Sequence, residues 1–155
     1  MSISSSIILD QWRTWECAWY SILWALIHMK PSIDYKKIEK ELLEEDGNSF
    51  TLKIAEKWFV KKWYIKWLRK CTYSPFLLKK QPIITWVANL DWWRTWKPPY
   101  MLTFEQRATV WTHYLILIAH WKWQNSAWES WWDKGCFYFK QSQLRNMKQM
   151  FAIIL

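Results

Sequence analysis

The sequence predicts an α+β fold, and three observations carry that expectation. Apolar residues recur at helical spacing from Cys17 to Lys61, whereas after Lys62 the pattern changes to short runs rich in β-branched and aromatic residues. Helices gathered first and strands afterwards is the order of an α+β domain, not the alternation of a doubly wound sheet. The third observation is size: 155 residues are enough for one domain with a real core, and no internal repeat divides them.

Ile7 to Leu9 reads as a short opening strand or extended arm, and Asp10 to Glu16 as the turn that follows it. From Cys17 to Met29 the apolar residues are almost continuous, which describes a helix buried on most sides; Pro31 stops it. Ser32 then precedes a second helix over Ile33 to Leu43, with Ile38 and Leu42 at i, i+4 and Glu and Lys on the outer face. Asp46 to Ser49 form a turn and a helix start, so that a third helix runs over Thr51 to Lys61. Tyr64 to Lys66 reads as the first strand, Pro75 to Lys80 as a short helical turn and Pro82 to Val87 as a β-branched strand. Asn89 to Val110 is a long connection containing Pro98 and Pro99, of the kind that lines clefts. His113 to Ala119 is the strongest strand. Cys136 to Phe139 is another, Ser142 to Lys148 a short helix and Phe151 to Leu155 a closing strand.

Chemistry concentrates at Cys17, where a loop becomes an apolar helix. A thiol at a helix N-terminus sees the positive end of the macrodipole and unpaired backbone N–H groups, both of which favour the nucleophilic thiolate. Six residues earlier stands Gln11. Its side-chain amide, held beside the backbone N–H of Cys17, can form an oxyanion hole, because both donors point at the same developing charge.

A glutamine, then five residues, then a cysteine that opens an apolar helix resembles the papain-like cysteine peptidases. Glu16 is similar to the acidic residue before the cysteine in the bacteriocin-processing leader peptidases, a second branch of that superfamily. Thr14 stands where the papain signature has its first cysteine and Trp15 where it has glycine, so the structural-disulfide half of the signature is missing. The resemblance implies a compact papain-like fold forming a single domain over residues 1–155. In that fold the nucleophile's helix packs on a C-terminal antiparallel sheet.

A thiolate needs a proton partner, and His113 opens a buried strand after a turn, from which an imidazole can serve as base. His113 to Leu117 resembles the strand that carries the family's base. It lies 96 residues after Cys17, closer than in papain-type enzymes, so the spacing fits a compact branch. His28 reads as packing or surface, and His120 lies at the far end of the strand. Asn125 opens a segment, through Gly135, that resembles the family's asparagine motif, which implies that it orients the imidazole; Gln124 or an unrecognised Asp is the alternative. Only 12 residues separate Asn125 from His113, room for one strand and a turn but hardly for a second strand. Cys71 and Cys136 read as small buried hydrophobes.

Three cysteines form no disulfide framework and fit a reducing compartment or one free reactive thiol. With no signal peptide and no membrane-length apolar run in the sequence, a cytoplasmic location is expected. There is no metal-ligand spacing and no glycine-rich phosphate loop, so no cofactor or metal is expected. The net charge of +9 is spread over several segments, which argues against a specific nucleic-acid face. The expected partner is a peptide or protein substrate, cleaved at an amide bond; oligomeric state is not legible. The alternative is a non-catalytic, basic, aromatic-rich module for single-stranded nucleic acid or glycan.

Composition holds one conflict with this reading. There are 17 Trp and only 2 Gly, where ordinary usage would place roughly 11 glycines in a chain of this length. Tryptophan occupies turn positions: Trp12, Trp15, Trp111, Trp128 and Trp132 all fall where glycine belongs, and residues 91–99 and 120–124 read as loops once glycine replaces their indoles. The expectation is a gene in which UGA encodes glycine, here translated as tryptophan, with Trp131 among the genuine tryptophans.

Overall fold

The structure is a computed structural model and describes residues 17–44, 51–88, 101–102, 112–119, 122–124, 136–139 and 149–155. It is an α+β domain in which helices α1 (Cys17–Met29), α2 (Tyr35–Glu44) and α3 (Leu52–Lys61) precede the sheet strands. The opening arm, the turn over 10–16, the helix over 142–148 and the tryptophans at 12, 15, 111, 128, 131 and 132 lie outside the described residues.

α1 is the core helix. Every residue from Ala18 to His28 is buried, including Trp19, Tyr20 and Trp24, as a helix apolar all round requires. It is enclosed by α2 and α3 on one side and by three strands of the sheet on the other. The helix ends where Lys30 N–H donates to the Leu26 carbonyl at 2.8 Å, one residue before Pro31, which has no N–H to continue the ladder.

α2 begins at Tyr35 and not near Ile33. Asp34 is the cap: its Oδ1 accepts from Lys37 N–H at 3.1 Å and so satisfies one of the orphan donors of the first turn. Ile38 and Leu42 face inward as their spacing predicts. α3 turns Leu52, Ala55, Trp58 and Phe59 inward, and the indole of Trp58 meets Phe59 and Trp19 edge to face, with centroids 5.0 and 5.5 Å apart.

The end of α3 corrects the expected first strand. Trp63 N–H donates to Val60 O and Tyr64 N–H to Phe59 O, both at 3.0 Å, with Trp63 in the left-handed region at φ 64°. These are the paired bonds of a Schellman cap. Because Tyr64 spends its N–H on the helix, the ladder starts later, and β1 is Trp67–Cys71. Lys66 N–H already reaches Ile154 O at 2.7 Å. β1 is an edge strand, and Glu56 of α3 accepts from its Leu68 N–H at 3.2 Å.

α4 (Pro75–Lys80) starts as expected, with Ser74 Oγ accepting from Leu77 N–H and proline in the first turn. The strands β2 (Ile83–Ala88), β4 (Thr112–Ala119), β6 (Cys136–Phe139) and β7 (Met150–Ile154) fall within a residue or two of their expected places. Two short strands go beyond what the sequence predicts: β3 (Met101–Leu102), inside the long connection, and β5 (Lys122–Gln124), in a stretch that reads as loop. The sheet runs β1-β7-β2-β4-β5-β6-β3, antiparallel throughout except for the β3–β6 pair. The last strand in sequence is therefore interior. Leu68, Ile84, Ile116 and Ile153 share one cluster with the three long helices, while Leu78, Ile83, Leu117 and Met150 are buried outside it.

Candidate active site

Cys17 is the first residue of α1, the placement that its sequence context predicts. Its side chain is outside the described set, but the backbone position alone puts the thiol's residue in the first turn of a 13-residue helix, where the free N–H groups and the dipole act. The burial of the remainder of α1 holds that end in a fixed place relative to the sheet.

His113 is the second residue of β4, where it pairs with Val87 of β2. α1 packs directly on β4. The element that begins with the candidate nucleophile and the one that carries the candidate base near its start are thus neighbours in one core, although 96 residues separate Cys17 from His113. Alternation along β4 adds a condition. Ile116 belongs to the cluster under α1, Leu117 is buried outside that cluster, and position 113 falls in the alternation set of Leu117.

Gln11 and Asn125 lie outside the described residues. The chain on the near side of Asn125 is defined: Gln124, the last residue of β5, pairs with Ile116 of β4. The second strand for which 12 residues leave little room is present, because it needs only three residues, the first of them, Lys122, paired with Ala119. Gln124, the alternative third member, sits in that strand. A strand of this length is too short to show periodicity of its own, which is why the sequence pattern does not reveal it.

Cys71 is the cysteine whose side chain is described. Cys71, at the end of β1, is half-buried, and burial pushes its pKa up against a smaller downward pull from Arg69. That is the setting of an inert cysteine. His28 is buried in the last turn of α1, at the opposite end from Cys17. Among the described residues no group of His, Cys, Asp and Glu could hold a metal ion, and no helix is long and apolar enough to cross a membrane. Comparison with protein-family models and with characterised proteins gives no match.

Proposed function

We propose that the protein is a papain-like cysteine peptidase acting on peptide or protein substrates. The observation that carries this reading is that Cys17 opens the buried helix α1, and that α1 packs on the strand whose second residue is His113. In the proposed reaction His113 takes the proton of Cys17 and the thiolate attacks the amide carbonyl. The Gln11 side-chain amide and the Cys17 N–H hold the oxyanion. His113 then gives its proton to the leaving amine, and water releases the acyl-enzyme. Asn125 accepts from the second ring N–H and keeps the imidazole oriented. The alternation of β4 is the one observation that weighs against this pairing, since position 113 shares its set with Leu117 and not with Ile116.

Reactivity and proximity test it together. A thiol-directed alkylating reagent at near-neutral pH labels Cys17 well before Cys71 or Cys136, and His113→Ala slows that labelling; equal labelling of all three thiols removes the activated nucleophile. In a variant with Cys71 and Cys136 replaced by Ser, His113→Cys forms a disulfide with Cys17 under mild oxidation. Failure of that bond to form in the folded protein separates the two residues and the reading with them.

A second reading, a basic aromatic module for single-stranded nucleic acid, is favoured by one stretch. Lys61, Lys62, Trp63, Lys66, Trp67, Arg69 and Lys70 are all exposed around the α3–β1 connection. Binding of an oligonucleotide that falls steeply with salt would support it.

A further inference from the structure

Among the described residues one non-glycine residue has a positive φ, and it is Trp63 at 64°. It occupies the C′ position of the cap that ends α3, where the N–H groups of residues 63 and 64 turn back to the carbonyls of Val60 and Phe59. That position requires left-handed backbone and is filled most often by glycine, because a Cβ there crowds the following carbonyl. The indole offers no compensation for that crowding, since Trp63 is 93% exposed. Trp58, five residues earlier, is the opposite case. It lies inside α3, 7% exposed, with its ring among Trp19, Phe59 and Tyr64 and Lys62 above it. Glycine there would remove core volume and weaken the helix.

We infer that residue 63 is glycine in the protein as its own organism makes it, encoded by UGA, and that residue 58 is a genuine tryptophan encoded by UGG. The cap supplies a conformational reason for the substitution that composition alone does not, at a position distinct from the five turn tryptophans singled out in the sequence. It does not depend on the peptidase reading. It does bear on the nucleic-acid reading, because a glycine at 63 removes the most exposed indole from the basic stretch and leaves the half-exposed Trp67 as its base-stacking surface.

The experiment is peptide mass analysis of the protein isolated from its source, together with the gene sequence. Trypsin cuts after Lys57, Lys61, Lys62 and Lys66, so residues 58–61 and 63–66 are released as separate peptides. The expected result is glycine at the head of the 63–66 peptide over a UGA codon, and tryptophan at the head of the 58–61 peptide over UGG. Tryptophan at 63 over either codon overturns the inference, as does glycine at 58. Thermal unfolding of the recombinant chain carries an independent arm: Trp63→Gly raises the Tm by about 2–4 °C, and Trp63→Ala does not. Equal Tm values for the two variants would remove the conformational ground.

Discussion

The interior of the helical layer and the connection that leaves it use the same residue to opposite effect. In α1 and α3, Trp19, Trp24 and Trp58 are 4%, 2% and 7% exposed, whereas Trp63 and Trp67, in the α3 cap and at the start of β1, are 93% and 50% exposed. Burial of an indole removes a large apolar surface from water and locks neighbouring rings edge to face. An indole in a turn does neither, and at Trp63 it also opposes the backbone conformation. The contrast separates tryptophans that hold the fold together from those that the fold merely tolerates. Two of the buried indoles carry a cost of their own, since the ring N–H groups of Trp24 and Trp58 find no hydrogen-bond partner among the described residues.

The comparison breaks first at Trp58. Trp58→Ala should cost about 3–5 kcal/mol of folding stability in a denaturant titration, because it empties the centre of the Trp19, Phe59 and Tyr64 cluster. A loss below about 1 kcal/mol would mean that the cluster is not the keystone of the layer.

A smaller effect appears with pH at Tyr64, which joins the two regions. Its hydroxyl donates to Glu41 Oε2 at 3.2 Å, and burial, followed by the Glu41 charge and that hydrogen bond, pushes its pKa above the ordinary 10.0. The folded-state value exceeds the unfolded one, so the contribution is fully present below the ordinary tyrosine pKa of 10.0 and is lost as pH rises through the folded value. Tyr64→Phe should flatten the fall in stability on the alkaline side without steepening it elsewhere. An unchanged alkaline slope would detach Tyr64 from Glu41.

The smallest effect is expected at Trp67. Its side chain is half out of the edge strand, so Trp67→Thr should change stability by no more than about 0.5 kcal/mol in either direction. A loss approaching that of Trp58→Ala would erase the distinction between the two regions.

Much of the architecture is legible in the amino-acid sequence, for identifiable reasons. The almost unbroken apolar run from Ala18 to Ile27 describes a buried helix, Ile38 and Leu42 at i, i+4 mark an inward face, and Ser74 followed by Pro75 marks a helix start. The placement of Cys17 at a helix start follows from the same local logic. The strand edges are less legible. Tyr64 to Lys66 has strand composition, yet the cap of α3 claims its first N–H, and a three-residue strand such as β5 carries no periodic signal.

By itself the sequence determined the α+β class, the span of α1, the inward face of α2, and the residue that begins α1. These depend on spacing within one turn or one pleat, which neighbouring residues settle among themselves. Only the tertiary structure decided that β7, last in the chain, lies between β1 and β2, and that α1 rests on β4. Gln81 shows why. Its buried amide donates to Ile153 O at 3.1 Å and accepts from Ile153 N–H at 2.8 Å, completing the hydrogen bonding of β7 from 72 residues away. Nothing local to either residue encodes that partnership; it follows from the requirement that buried backbone polar groups be paired once the sheet has closed around them.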